Sequence, residues 1–435
     1  MRVIVVGGGW AGCAAAGIAK TCGAQVLLCE RTDMLLGTGL VGGIVRNNAR
    51  FTAAEEMIAL GGGALFEIMD ANARHTNVDF PGHRHASLYD IAKTPAAVHR
   101  YLAEIGIDVR LQARVTGMRM RDGIIEAVRT GSGDWLEGDV FVDCTGTAGP
   151  MNNCTKYGNG CVMCILRCPS FGGRVSLTAM AGVEEQMAKR PDGTAGAMSG
   201  ACKLHKDSLS PELVRLLEQN GVVVVAVPEE LREDHLAIKA CQQYALGDYV
   251  SNLVLLDTGH AKLMTPYFSL ARLQRIAGFE NARYEDPYAG GKGNSVRLLA
   301  MAPRDDAMRV RGVNNLYCAG EKAGPLVGHT EAVITGTLAG YNAVRHCCGL
   351  APLVLPSTLA VGEAIRYVSM MMQTENGLML KYTFSGSVLF EQIKALGLYT
   401  TDVAKIGRRV QDTGLAGVFA RQTVSVPIHC DGSGV

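Results

Sequence analysis

Residues 3–12 read VIVVGGGWAG and determine the architecture of this chain. The first four are apolar and β-branched, a pattern typical of a short strand buried on both faces of a parallel sheet. The next six match G-x-G-x-x-G. An alanine-rich helical pattern over residues 13–22 follows, and a second apolar strand over residues 25–29 ends in Glu30. This order of strand, glycine turn, helix, strand and acidic residue predicts a dinucleotide-binding unit.

The residues of this turn have separate physical tasks. Gly7 permits the tight passage from strand to helix, and Gly12 lets the helix pack closely on the strand. Gly9 lets the backbone approach a pyrophosphate without a side chain in the way. Trp10 and Ala11 open the helix and present free N–H groups and the positive end of its dipole to the phosphates. We predict that these five residues bind the cofactor.

The acidic residue Glu30 lies 18 positions after Gly12 and can accept hydrogen bonds from ribose hydroxyls. A carboxylate at this place disfavours a 2′-phosphate, and therefore NADP. Arg31 follows it and is predicted to belong to the same cofactor site. Because the glycine turn alone fits either NAD or FAD, the choice between them depends on residues further along the chain.

Two later segments favour FAD. The strand-like run of residues 139–143 leads into Thr145 and Gly146, which we expect to contact the dinucleotide a second time. Residues 315–319 form another strand pattern that leads through a glycine-rich turn into a helix. The positive end of that helix could stabilise the negative charge of a reduced flavin. The predicted cofactor contacts of this late unit are Gly320, Glu321, Gly328, Thr330, Glu331 and Ala332.

These late motifs resemble the C-terminal FAD-binding signature of the GidA/TrmFO family, which consists of FAD-dependent tRNA-modifying enzymes. The resemblance covers roughly the first 45 residues and residues 310–368. It implies an FAD cofactor and places His329 beside the flavin as a candidate catalytic residue. The residues that carry it are Gly320, Glu321, Gly328, His329, Thr330, Glu331, Ala332, Gly336 and Gly340.

The glycine-rich segment, residues 37–43, is expected to lie along the flavin and its ribityl chain, where only backbone fits. Gly37, Gly39 and Gly43 are its predicted cofactor contacts. Folate-dependent members of the GidA/TrmFO family carry a cysteine in the corresponding region, and this chain has none there. The difference points away from tRNA modification and towards a broader group of FAD-dependent oxidoreductases.

Outside the cofactor motifs, the most unusual feature of the sequence is a cluster of four cysteines: Cys154, Cys161, Cys164 and Cys168, followed by Pro169. Its spacing partly resembles an iron–sulfur ligand run, and four thiolates could also hold zinc. As an alternative, Cys161 and Cys164 exchange electrons with the flavin as a dithiol/disulfide pair, which makes them candidate catalytic residues. The remaining interpretation is inert, buried thiols, because cysteine is among the most buried residue types.

The charge and hydropathy of the chain limit the kinds of partner that it is expected to have. The net charge of +1 gives no overall field that attracts nucleic acid. A locally basic stretch over residues 265–311 is explained by a solvated face, with an anionic-substrate or RNA surface as the alternative. No apolar run reaches the roughly 20 residues that span a bilayer, and no signal-peptide cleavage site is recognisable. We expect a cytoplasmic protein that acts on a small molecule or redox partner, nucleic acid being less favoured and a homo-oligomer left open.

The predicted fold is α/β: a Rossmann-like FAD-binding domain of the two-dinucleotide-fold type with an inserted α+β substrate domain. The FAD domain is expected from residues 1–150 and 311–350, and the cysteine-rich substrate domain from residues 151–310. Residues 351–435 form a helical extension. Within the first part, a β-meander is predicted over residues 107–142.

The predicted function is that of an FAD-dependent oxidoreductase that transfers a hydride between the flavin and a substrate. One alternative is an FAD-dependent tRNA-modifying enzyme, in which reduced flavin serves a methyl or aminomethyl transfer. The other is an electron-relay flavoprotein whose cysteines hold an iron–sulfur cluster or zinc.

Overall fold

The computed structural model describes residues 1–146, 168–189, 197–198, 202–234, 236, 244–265, 268–285, 296–297 and 299–422. Within these residues, five parallel strands form a central sheet. They are β1 (Arg2–Val6), β2 (Gln25–Cys29), β3 (Asp108–Arg110), β4 (Val140–Asp143) and β5 (Leu316–Cys318). They lie side by side in the order β5-β4-β1-β2-β3, and each pairing is parallel. The predicted Rossmann-like fold is therefore confirmed.

The helices Trp10–Thr21 and His329–Cys347 follow β1 and β5 and pack against each other. A Cβ atom added at Gly336 would lie 2.2 Å from the carbonyl oxygen of Ala11. One added at Gly340 would lie 2.3 Å from that of Ala15, so glycine alone permits this approach. Because both contacts advance by four residues, the two helices run parallel and begin at the same edge of the sheet.

Other helices surround this unit and share its core. Buried residues of the C-terminal helices belong to the same apolar cluster as the strands of the parallel sheet. The fully buried Glu56 joins the two parts, since its carboxylate accepts hydrogen bonds of 3.0 Å from the amides of Ala360 and Val361. No helix in the described part of the chain is long and apolar enough to cross a membrane. The helices that surround the parallel sheet and its two long helices are Ala49–Ala59, Ala64–Ala71, Thr94–Glu104, Ala360–Met371, Glu375–Leu378, Ser387–Ala395 and Val403–Asp412.

The inserted region is built on a second sheet, which is antiparallel. In spatial order its strands are Cys202–Leu204, Ala261–Leu263, Asn252–Asp257 and Val222–Ala226. The helix Pro211–Asn220 packs on it, and the Ser210 hydroxyl caps that helix by accepting the Leu213 amide at 3.3 Å, as Ser-Pro at a helix start predicts. The short helices within the inserted region, and in the segment that leads to it, are Cys168–Phe171, Leu177–Met180, Asp248–Ser251 and Leu270–Leu273.

A smaller antiparallel sheet connects the two units. Its strands are Ile44–Val45, His83–Tyr89 and Ala73–Phe80, in spatial order. Apolar residues such as Leu88 pack in one cluster with Val254 and Met264 of the inserted region. Two further strand pairs are Gln186–Met187 with Ala300–Met301 and Ala197–Met198 with Val296–Arg297.

The predicted β-meander over residues 107–142 needs a correction. Val115–Arg121, Ile124–Thr130 and Trp135–Glu137 do form it, with Asp122 and Gly123 at positive φ in the first turn. The strand Asp108–Arg110 does not take part, because it pairs with β2 at the edge of the parallel sheet. A strand of three residues carries too little pattern to specify its partner, so tertiary contacts decide it.

Candidate functional site

A cleft opens where the parallel strands end, and most of the predicted cofactor residues line it. Ligands of open α/β sheets bind at this edge. The predicted residues on its wall are Gly7, Gly9, Trp10, Ala11, Glu30, Arg31, Gly37, Thr145, Gly146, Gly320, Glu321, Gly328, His329 and Ala332. The predicted residues that the structure places behind this wall are Gly12, Gly39, Gly43, Thr330 and Glu331.

Of the three motif glycines in the first turn, Gly7 and Gly12 are required by the protein's own backbone, and Gly9 leaves open space in the cleft. Gly7 has φ +105°, and a Cβ there would lie 2.2 Å from the Cys144 carbonyl oxygen. A Cβ at Gly12 would lie 1.7 Å from the Gly7 carbonyl oxygen. At Gly9, in contrast, the nearest heavy atom to an added Cβ is the Leu36 carbonyl oxygen at 3.9 Å. The protein therefore leaves space above Gly9, as a close diphosphate requires.

Two long helices begin at the cleft with unused backbone donors. Trp10–Thr21 starts after Gly9 and His329–Cys347 starts after Gly328, and no side chain of the described residues caps either of them. The first N–H groups of a helix lack intrahelical partners, and the helix dipole adds positive charge there. Two such ends on one cleft suit a ligand with a negative diphosphate and a second site of developing negative charge.

The carboxylate of Glu30 is held in place at one end of the cleft. Its Oε2 accepts the Gly8 amide at 2.7 Å, and its Oε1 accepts the Thr32 amide at 2.7 Å and the Thr32 hydroxyl at 3.0 Å. Arg31 donates a hydrogen bond to the Gly172 carbonyl nearby. A carboxylate has about four lone-pair sites and these bonds use three of them, so Oε2 can still accept a hydroxyl group of a ribose.

The fully buried Asp143 positions the second predicted contact, and sequence reasoning gave it no role. Its Oδ1 accepts the Thr145 hydroxyl at 2.7 Å and the Thr145 amide at 3.2 Å. Its Oδ2 accepts the Thr178 amide and hydroxyl at 2.9 and 2.8 Å. One carboxylate thus fixes the turn after β4 to the helix Leu177–Met180. An acidic residue at the end of an apolar strand was the available signal.

We expect Asp143→Ala to weaken FAD binding about tenfold, because the Thr145 turn loses the carboxylate that orders it. Titration of the apo-protein with FAD, followed by flavin fluorescence, measures this effect. Asp139→Ala removes an exposed carboxylate just before the same strand and serves as the matched control. Unchanged FAD affinity in a folded Asp143→Ala variant would contradict the positioning role.

The opposite end of the cleft is formed by aromatic side chains packed on the glycine-rich segment. A Cβ at Gly42 would lie 1.7 Å from His329 Nε2, so the imidazole rests on bare backbone. Tyr89 contacts His329 edge-on, with ring centroids 6.0 Å apart, and donates its hydroxyl to the Gly39 carbonyl at 3.0 Å. A Cβ at Gly39 would lie 2.5 Å from Trp10 Nε1. The protein's own side chains thus require these glycines, in addition to any demand from a flavin.

Glu331 lies in a buried ion pair behind the cleft. Its carboxylate pairs with Arg50, Nε to Oε1 at 3.1 Å, and accepts the Thr383 hydroxyl at 2.7 Å and the Phe384 amide at 2.9 Å. These bonds tie the start of His329–Cys347 to the C-terminal extension. Thr330 is also fully buried, and its hydroxyl has no hydrogen-bond partner among the described residues.

The predicted metal ligands Cys154, Cys161 and Cys164 lie outside the described residues, as does the side chain of Cys168. The described residues contain no group of three or more His, Cys, Asp or Glu side chains arranged to hold a metal ion. Metal binding and thiol redox chemistry therefore stay predictions. For Cys318, which is described, burial raises the thiol pKa to about 12, so it is a neutral, apolar side chain at neutral pH.

Several described arginines of the basic stretch, residues 265–311, have acidic partners. Arg272 pairs with Glu233, and Arg283 pairs with Asp207 at 3.1 Å. Such pairs offset the local positive charge and favour the solvated-face interpretation.

The chain is similar to known proteins in both sequence and fold. A family model described as glucose inhibited division protein A matches residues 2–245 and 262–351. Two relatives named methylenetetrahydrofolate–tRNA-(uracil-5-)-methyltransferase TrmFO match over 100 residues each. The relative from Thermus thermophilus is 36% identical and the one from Bacillus cytotoxicus 35%. Each match covers 22% of this chain and 21% or 22% of the relative, so the chain spans about a fifth of the length of the curated relatives it matches.

A solved structure of GidA from Aquifex aeolicus, in its form II crystal, superposes with a TM-score of 0.62. The alignment covers 94% of this chain and 76% of that chain at 14% identity. At that identity the superposition establishes a shared fold. It also extends well beyond the segments on which the sequence resemblance rests.

Proposed function

Because the chain belongs to the glucose inhibited division protein A family, we propose that it is an FAD-dependent enzyme that modifies a base of tRNA. The observation that carries this proposal is the extent of the family match. It runs through the glycine turn, through strands of the inserted sheet and through the helix His329–Cys347. The cofactor cleft and much of the region that faces it therefore share one ancestry with the family.

The cleft fits FAD on features of its own. Gly9 leaves room for a diphosphate, the uncapped start of Trp10–Thr21 offers N–H donors, and Glu30 presents an oriented carboxylate for a ribose. When bound there, FAD supplies a two-electron redox centre. Trp10 and other apolar wall residues, such as Val41 and Met264, exclude water from the opposite end, and the buried Tyr89 packs against Trp10.

We assign His329 the role of holding a proton at that end of the cleft. Its ring lies against the backbone of Gly42, and the edge of Tyr89 restricts its orientation. The start of its helix adds positive potential, which favours negative charge on a neighbouring ligand. An imidazole within reach of a ligand can give or accept a proton there.

A second candidate function is hydride exchange with a small molecule. Two observations favour it: the glycine-rich segment, residues 37–43, contains no cysteine, and several described arginines of residues 265–311, such as Arg272 and Arg283, are paired with acids. Both reduce the chemical likeness to a folate-dependent tRNA enzyme. The cleft described above would serve this reaction equally well.

Purification without added cofactor, followed by absorption spectroscopy and tRNA binding, separates the two functions. The tRNA-modifying function predicts flavin absorption bands that correspond to about one flavin per protein chain. It also predicts binding to unmodified tRNA whose affinity falls steeply as the salt concentration rises. Duplex DNA of similar length controls for general binding of polyanions. An FAD-loaded protein that binds tRNA no better than this DNA would rule out the first function and leave the second. Absence of flavin, together with failure to bind added FAD, would overturn both.

A further inference from the structure

The lysine Lys262 reaches from the inserted sheet into the cofactor cleft. It lies on the strand Ala261–Leu263, its side chain is 5% exposed, and it lines the cleft. Its ammonium donates hydrogen bonds to the carbonyl oxygens of Val41, at 2.9 Å, and of Gly42. A buried ammonium is costly to desolvate unless it has such partners. This lysine therefore connects the inserted sheet to the glycine-rich segment, residues 37–43.

Gly42 lies between two cation-forming side chains. The Lys262 ammonium bonds to its carbonyl, and the His329 imidazole packs where a Cβ would be. His329 also opens the long helix whose positive end faces the cleft. Glu30 follows β2, where this fold class binds the ribose, whereas Lys262 and His329 lie against Gly42 of the glycine-rich segment, so the ring system of a bound FAD would lie beside them.

We propose that Lys262 is a positioning residue that fixes residues 37–43 against the flavin ring and stabilises the negative charge that the ring gains on reduction. Uptake of two electrons and one proton converts the oxidised ring into an anion, and a nearby ammonium lowers the free energy of that anion. This inference rests on FAD binding, as part of the proposed function, and is independent of the substrate. The electrons come from the reductant used in the test.

Three variants separate charge from structure. Lys262→Gln removes the charge but keeps hydrogen-bond donors for the Val41 and Gly42 carbonyls. Lys262→Arg keeps the charge, and Lys262→Met removes both charge and donors. The two-electron midpoint potential of each FAD-loaded variant is measured by dye equilibration with dithionite as reductant, beside its FAD affinity and thermal unfolding midpoint.

We expect Lys262→Gln to make reduction at least about tenfold less favourable, which for two electrons is a fall of about 30 mV in the midpoint potential. The Lys262→Arg protein, which keeps the charge, should retain most of the wild-type midpoint potential. An FAD-loaded Lys262→Gln protein with the wild-type potential would overturn the proposal, as would an equal loss in Lys262→Arg. If the Gln variant does not fold, the Lys262→Met potential decides in the same way. A wild-type protein that binds no FAD would instead refute the proposed function itself.

Discussion

Gly9→Ala is expected to lower the affinity for FAD at least about hundredfold while the apo-protein keeps its stability. The backbone at Gly9 has φ −68°, which alanine adopts readily. Within the protein, an added Cβ meets nothing closer than 3.9 Å. The same methyl group would occupy the space that a diphosphate needs to reach the amides of Trp10 and Ala11. A hundredfold loss corresponds to about 2.7 kcal/mol, the loss of one or two hydrogen bonds to a charged group.

Two other glycines serve as controls for this substitution. Gly12→Ala places its Cβ 1.7 Å from the Gly7 carbonyl oxygen and should lower the unfolding midpoint even without cofactor. Gly247 is exposed, and an added Cβ there meets no other atom within 4 Å. Gly247→Ala should therefore change neither the FAD affinity nor the unfolding midpoint. Calorimetric titration with FAD and thermal unfolding of the apo-protein measure both. A Gly9→Ala protein that binds FAD as tightly as wild type would show that no phosphate lies over this turn.

Gly336→Ala should destabilise the protein by about 3 kcal/mol. The new Cβ would lie 2.2 Å from the Ala11 carbonyl oxygen, on a backbone that cannot move without separating two long helices. Because both helices begin at the cofactor cleft, their separation should weaken FAD binding as well. The free energy of unfolding from urea titration is the measurement.

The control is the same change in a helix with free space. Gly407 lies in Val403–Asp412, and an added Cβ there contacts nothing within 4 Å, so Gly407→Ala should stabilise the protein slightly through helix propensity. Equal stability of the Gly336→Ala and wild-type proteins would show that the two helices do not touch as described.

Local patterns predicted what depends on neighbours in the sequence. The strand β1, the glycine turn, the helix after it and β2 follow from one continuous run of residues, and the structure confirms them. The assignment of Asp108–Arg110 to the meander was wrong, because three residues cannot indicate which sheet they join.

The supporting residues of the site depend on contacts that no local pattern records. Asp143 bonds to Thr178, Lys262 to Gly42, and Arg50 to Glu331, and each pair is far apart in the chain. Glu331 is a further residue whose contacts in space could not be inferred from the local sequence. Its place in a family-like motif suggested a cofactor contact, whereas its surroundings in space form a buried ion pair.

The sheet order β5-β4-β1 also constrains how the protein is made. The strand β4 ends at Asp143, but its neighbour β5 begins only at Leu316, and the helix that closes the cleft ends at Cys347. A nascent chain emerging from the ribosome therefore lacks the edge strand β5 and the cleft residues between positions 319 and 332 until this late segment has been translated. A cofactor that needs the complete cleft would consequently bind late in biogenesis, and we expect truncated translation products ending before residue 316 not to assemble the cleft.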